Sequence, residues 1–197
     1  MGDLWGIILA AGKSLRMGKP KMLLPYRGKT IVETTINNIL SSKVKGAIVV
    51  LGSGSDEILK VTGRLPVINC YNKDFEEGML SSVQCGFRTL PVDFGAVIVL
   101  PGDQPEIGSD IINTLVDAYL NSDKELIVPV CNSKRGHPLL IGSRYRSSVE
   151  NLDQEEGLRA LLKKFPEDVL EVNTDSPEIL KDIDTFEEYM NELKQIN

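Results

Sequence analysis

Leu4-Trp-Gly-Ile-Ile-Leu9-Ala10-Ala11-Gly12-Lys-Ser-Leu-Arg16-Met-Gly-Lys-Pro-Lys21 is the stretch from which the rest of the chain is read. Its opening, residues 4–9, is a continuous apolar run that ends at small residues, the pattern of a strand buried on both faces. The segment after it carries glycines and cations and runs for about 20 residues before the next helical pattern, longer than most connections in a compact domain. Long glycine-containing loops in α/β proteins tend to carry function. Ala10, Ala11 and Gly12 lack bulk, so a ligand can approach the backbone N–H groups there. Arg16 and Lys21 can pair with phosphate oxygens, the first as a bidentate fork and the second as a point charge.

Working outward, residues 47–51 (AIVVL) and 96–100 (AVIVL) predict two more buried strands. Residues 126–130 (LIVPV) predict a fourth, with Pro129 pointing to a strand end or a sheet edge. Residues 67–69 and 169–172 are weaker strand patterns. Helical periods fill the gaps: Ile31, Val32, Ile36, Ile39 and Leu40, then Leu80, Val83, Phe87 and Leu90. The clearest apolar stripe is Ile111, Ile112, Leu115, Val116, Tyr119 and Leu120, with Ser109 as the expected N-cap. Leu158, Leu161 and Leu162 mark another helix, and Phe186, Tyr189, Met190 and Leu193 a last one. Strands alternating with helices predict an α/β fold: one Rossmann-like three-layer domain, residues 1–197, around a mostly parallel sheet. Ligands of such sheets bind beyond the carboxyl ends of the strands, here from Ala10, Gly52 and Pro101 onward. The Pro/Gly corner at residues 135–138 interrupts the pattern and predicts a small substrate-side subregion.

The chain has 197 residues, 42% of them hydrophobic and 25% charged, so a folded core is expected. No apolar run approaches membrane-helix length and no signal peptide is read, so a cytoplasmic protein without a membrane partner is expected. Cys70, Cys85 and Cys131 show no CxxC spacing, against a zinc site or a disulfide scaffold. The net charge of −6 hides an asymmetry. Residues 4–32 hold six cations (Lys13, Arg16, Lys19, Lys21, Arg27 and Lys29) and no carboxylate. A basic focus in an acidic chain disfavours nucleic acid as partner and suits a compact anion. The loop is neither a Walker A sequence nor GxGxxG, so a nicotinamide-dependent oxidoreductase is poorly supported.

Residues 9–21, LAAGKSLRMGKPK, resemble the signature loop of the MobA/MocA-like nucleotidyltransferases, which share the fold of the molybdenum cofactor guanylyltransferases. Further resemblances follow in order: KMLLP with GKTI at residues 21–31, GMLSS at 78–82, GDQP at 102–105, RGHP at 135–138 and DIDT at 182–185. GDQP with RGHP resembles the branch typified by molybdenum cofactor cytidylyltransferase. Residues 152–159, LDQEEGLR, depart from that branch, which often has a GDxGAR-like stretch; the departure bears on the acceptor, not on the nucleotide half.

The resemblance implies the nucleotide-diphospho-sugar transferase type of fold, with a nucleotide half near residues 1–105 and an acceptor side near 106–197. It implies transfer of a nucleoside monophosphate, CMP from CTP, to the phosphate of molybdopterin or molybdenum cofactor, with release of pyrophosphate. GTP as donor, or a sugar or methylerythritol phosphate as acceptor, are the nearest alternatives. A nucleotide-binding accessory protein without turnover is the alternative from another class. In the implied site Arg16 and Lys21 hold the leaving phosphates, and Leu9, Ala10, Ala11 and Gly12 meet the nucleotide. Gly78 and Ser82 border the nucleoside, Asp103 and Asp184 carry Mg²⁺, and Arg135 and His137 face the acceptor. A molybdoenzyme or its chaperone is the implied recipient of the product. Each residue also has a plainer reading: Gly-Asp-Gln-Pro as a turn, Asp184 as a helix cap, His137 as a structured corner.

Overall fold

The computed structural model describes residues 2–12 and 20–196; Lys13, Arg16 and Lys19 lie outside the described residues. In chain order the first half runs β1 (Leu4–Ala10), β2 (Pro25–Tyr26), β3 (Lys29–Thr30), α1 (Ile31–Leu40), β4 (Gly46–Leu51), α2 (Ser55–Thr62), β5 (Ile68–Tyr71), α3 (Met79–Thr89) and β6 (Ala96–Pro101). The second half runs α4 (Ser109–Leu120), β7 (Leu126–Cys131), β8 (Lys134–Arg135), β9 (Leu139–Gly142), α5 (Arg146–Glu150), α6 (Arg159–Lys164), β10 (Val169–Asn173) and α7 (Phe186–Ile196).

The main sheet has the order β10-β7-β9-β6-β1-β4-β5, with β8 beside β7. β1 is parallel to both β4 and β6, as are β5 to β4 and β10 to β7. β9 runs antiparallel between β6 and β7. Alternation along β1 explains the three layers. Ile8 and Ala10 join a core with Val32, Ile36 and Ile39 of α1 and Ile112 and Leu115 of α4. Ile7 and Leu9 point the other way, into a core with Val83 and Phe87 of α3 and Leu161 of α6. A strand buried on both faces has no polar position to spare, which is why it reads as one apolar run.

Two local expectations are corrected. Pro129 lies within an interior strand, not at an edge or an end. Its carbonyl accepts the Gly136 N–H at 2.9 Å, on the side where β8 gives way to β9, so the missing proline N–H costs no ladder bond. The N-cap of α4 is Gly108, with no side-chain cap bond, and Ser109 is already helical. A side-chain cap does form on α1, where the Thr30 hydroxyl accepts the Glu33 N–H at 3.2 Å. Among the described residues no helix is long and apolar enough to cross a membrane.

Helix α3 approaches the sheet closely because Gly86 has no side chain. A Cβ there would stand 2.8 Å from Ile7 Cγ2 and 2.9 Å from its Cδ1. Gly86→Val gains a few tenths of a kcal/mol in helix propensity and forces α3 off the sheet. The expected net loss is about 1–3 kcal/mol, read from the urea midpoint at constant slope.

Candidate active site

The parallel strands bring the ends of β1, β4, β5 and β6 to one edge of the sheet. There the Leu9 carbonyl accepts the Gly102 N–H at 2.9 Å, and the Ala11 carbonyl accepts the Ser53 N–H at 3.2 Å. A Cβ at Gly52 would meet Ala11 Cβ and Phe75 Cβ, each at 2.8 Å, so glycine is what lets the three loops close on one another. Ala10 and Ala11 are buried, whereas Gly12 is exposed with open space where a side chain would stand.

Lys21 opens a short turn of helix at residues 21–23 and is buried. Its Nζ lies 2.5 Å from Asp103 Oδ2 and 2.8 Å from Asp184 Oδ1. Asp103 follows β6, and Asp184 lies in an irregular segment before α7, so three distant parts of the chain meet at one ammonium group. Burial alone would pull the lysine down, but Asp103 and then Asp184 outweigh it and hold it above its ordinary value. The cap of α7 falls to other residues. Thr185 Oγ1 accepts the Glu188 N–H at 3.2 Å, and Glu188 Oε2 accepts the N–H groups of Asp184 and Thr185 at 2.9 and 2.7 Å. The Asp184 carboxyl takes no part in that cap and accepts from Lys21.

Gly78 precedes α3 at φ +107°, a conformation that favours glycine. Ser82 is buried, and its hydroxyl accepts from Asn72 Nδ2 at 3.1 Å. Asn72 also donates to Ser81 Oγ at 2.8 Å, pinning the segment between β5 and α3. Arg135, on β8, is exposed and pairs with Glu171 at 2.7 Å. His137 is held by its backbone N–H to Ile179 O at 2.9 Å, while its Nδ1 is buried without a hydrogen-bond partner. Gly136 permits this approach, since any Cβ would collide with the Ile179 carbonyl.

A cleft of about 260 Å³ opens beside Asp103, lined by Gln104, Glu106, Asp182, Ile183, Glu188 and others. Burial, and then Glu192, raise the Glu106 carboxyl. Partial burial of its carboxyl, and then Asp103, raise Asp182. A cleft so rich in carboxylates repels a polyanion, so a phosphate ligand is better matched by the Lys21 side of Asp103. Gln104, Asp182 and Asn72 were not singled out by sequence. Gln104 and Asp182 stand inside the GDQP and DIDT stretches, whereas Asn72 carries no motif.

Residues 6–169 match the MobA-like NTP transferase domain. The chain belongs to that family. It is a nucleotidyltransferase of the MobA-like type. Purine catabolism protein PucB of Bacillus subtilis (strain 168) is 34% identical over 94% of either chain. Molybdenum cofactor cytidylyltransferase of Escherichia coli (strain K12) is 30% identical over 93% of this chain and 92% of that one. Nicotine blue oxidoreductase of Paenarthrobacter nicotinovorans is 28% identical over 95% and 98%. Among solved structures, Rv0371c of Mycobacterium tuberculosis H37Rv matches with a TM-score of 0.86 at 22% identity over 98% of both chains. It has also been solved in complex with manganese. That structural likeness is one of fold, the nucleotide-diphospho-sugar transferase type.

Burial pulls His137 below its ordinary value of 6.5, against the opposing pull of Asp182. The unfolded chain takes up this proton near 6.5 and the folded chain only at lower pH. The stability associated with a neutral His137 is therefore complete above that value and is lost as the pH falls from it through the folded value. In urea titrations the stability difference between wild type and His137→Asn should shrink as pH falls from neutral to 5. A difference that stays constant with pH would remove the buried neutral imidazole from the account.

Proposed function

We propose that this protein transfers CMP from CTP to the phosphate of molybdopterin or molybdenum cofactor, releasing pyrophosphate, with Mg²⁺ as cofactor. The observation that carries the reading is the convergence of Lys21, Asp103 and Asp184 at the carboxyl edge of the sheet. The chemical problem is charge, because two polyanions must meet at one phosphorus. Asp103 and Asp184 reach the same ammonium, so their oxygens are close enough to share one cation, and an all-oxygen donor pair suits Mg²⁺ or Mn²⁺. A cation held by these two carboxylates would supply positive charge to the phosphates and offset what develops on the leaving group.

The chain's own residues supply the rest. Lys21 cannot keep both carboxylates and share them with a divalent cation, so its flexible stem turns the ammonium to the β- and γ-phosphates. Arg16, outside the described residues, is assigned to the same phosphates. Leu9, Ala10, Ala11 and Gly12 form the floor for the nucleotide, with Gly78 and Ser82 beside the nucleoside. Arg135 and His137 take the acceptor side. No protein nucleophile is required. An oxygen of the acceptor phosphate attacks the α-phosphorus, the bond from that phosphorus to the bridging oxygen breaks, and pyrophosphate leaves. Residues 1–105 then serve mainly the nucleotide and 106–197 mainly the acceptor, although Asp184 crosses from the second part to the first. The GDQP and RGHP stretches, and the name of the Escherichia coli relative, favour CTP and the molybdenum cofactor.

The deciding experiment is pyrophosphate release from CTP, GTP, ATP and UTP with Mg²⁺, with and without molybdopterin or molybdenum cofactor. Release from CTP that requires the cofactor is expected. Release from GTP moves the donor assignment. Tight triphosphate binding without release turns attention to sugar or isoprenoid phosphates, or to an accessory role, and no binding overturns the reading. Two variants test the residues. Asp103→Ala should lower transfer by at least about a hundredfold with the fold intact; near-normal turnover removes Asp103 from the mechanism. Lys21→Ala should weaken triphosphate binding about ten- to a hundredfold and monophosphate binding far less. Equal losses for both ligands count against placing Lys21 on the pyrophosphate.

A further inference from the structure

Gln104 is the part of the Gly-Asp-Gln-Pro stretch that the reaction above leaves without a role. It is almost wholly buried, with 2% of its surface exposed. Its Nε2 donates to Asp182 Oδ1 at 2.5 Å and to Lys181 O at 3.0 Å. Two acceptors on one nitrogen fix which end of the amide is which. Its Oε1 is buried and has no hydrogen-bond partner. A side chain selected only to fill space would not bury an unsatisfied carbonyl, because Met or Leu fills the same volume without that cost. The benefit of the amide must lie in what its nitrogen holds.

What it holds is the segment that carries Asp184. Residues 181–184 belong to no helix or strand, so their placement depends on tertiary bonds. Besides the Lys21 ion pair these include the two bonds from Gln104, the Asp184 N–H to Glu188 Oε2 at 2.9 Å, the Lys181–Glu192 ion pair at 3.6 Å, and the Ile183 N–H to Asp103 O at 3.4 Å. The last is long, and the Glu188 and Glu192 contacts tie the segment to its own following helix, which leaves the amide as the stronger tie to the Asp103 side. Gln104 is the next residue after Asp103, and Asp182 is two before Asp184. A fixed amide between those neighbours therefore sets the gap between the two carboxylates.

We propose that Gln104 is a positioning residue that holds the Asp103 and Asp184 carboxylates at the separation needed to grip a divalent cation, acting through Asp182 and the Lys181 carbonyl. The proposal rests on the reading of that carboxylate pair as the metal site. Asp182 is exposed, so water can replace the lost donor in a variant, and the fold has little to lose. The geometry of the pair has more to lose, as outer partners of metal ligands commonly do.

The test is binding of Mn²⁺ alone, read from the free-ion electron paramagnetic resonance signal, to wild type, Gln104→Met, Asp182→Ala, the double variant and Asp103→Asn. Melting curves of each accompany it. Gln104→Met is expected to melt within a few degrees of wild type and to bind Mn²⁺ about tenfold more weakly. Asp182→Ala, which spares the bond to the Lys181 carbonyl, should lose no more than Gln104→Met, and the double variant should be no worse than Gln104→Met, because both single changes remove the same Gln104–Asp182 bond. In turnover, kcat should fall while KM for the triphosphate stays near wild type. Gln104→Met that binds Mn²⁺ like wild type while Asp103→Asn loses it overturns the positioning role and leaves the metal site standing. Wild type and Asp103→Asn behaving alike sinks the metal site, and the proposal with it. Strictly additive losses at Gln104 and Asp182 would also overturn it. Should Gln104→Met fail to fold, Gln104→Leu and the Asp182→Ala comparison decide the question on the same terms.

Discussion

Two carboxylates that approach a common point repel each other unless something positive stands between them. Here Lys21 stands between Asp103 and Asp184, at 2.5 and 2.8 Å. The arrangement ties together the loop after β1, the end of β6 and the segment before α7, which lie far apart in sequence. Buried ion pairs of this kind add little stability in net, because desolvation offsets most of the attraction. Their value is in specifying where three flexible pieces must sit. The surrounding bonds serve that end: Gly102 to Leu9 and Ser53 to Ala11 seat the first loop, and the Thr185–Glu188 cap forms without the Asp184 carboxyl.

Charge is sorted around that point. On one side of Asp103 stands the Lys21 ammonium. On the other lies the cleft of Glu106, Asp182 and Glu188. The junction between the two has a direction, since an anion gains on one side of Asp103 and loses on the other.

The architecture was largely legible in sequence where burial is two-sided. The runs at β1, β4, β6 and β7 have no exposed face, so they read as unbroken apolar stretches, and the α4 stripe is equally plain. Helix α2 escaped notice because it buries only Ile58 and Thr62. Strand β9 escaped because it is four residues long and follows a Gly-His-Pro corner that reads as a break. Pro129 misled because the rule against proline in central strands assumes that every N–H faces a ladder partner, and at this position none is needed. The candidate site was legible in its ionisable members, since charge in a motif declares itself. That Lys21 would lie against both Asp103 and Asp184 is a property of the fold, not of spacing. Gln104 and Asn72 went unremarked because a neutral amide has no signature until the fold shows what it holds.

The antiparallel strand in the middle of the sheet has a consequence for how the protein must be made. β6 finds its outer neighbour in β9, and β7 leans on the same strand. All six residues of β6 are buried in the finished molecule. While the chain emerges from a ribosome, everything needed for the β5-β4-β1-β6 part of the sheet is present well before β9 appears. Until Gly142 has been synthesised, that nascent sheet ends in a raw, sticky flank of open backbone groups and apolar side chains, a template for pairing with another copy. The first hundred residues thus leave the β6 flank of the sheet without its antiparallel neighbour. The later part of the chain, through β9, is the cover that closes that flank.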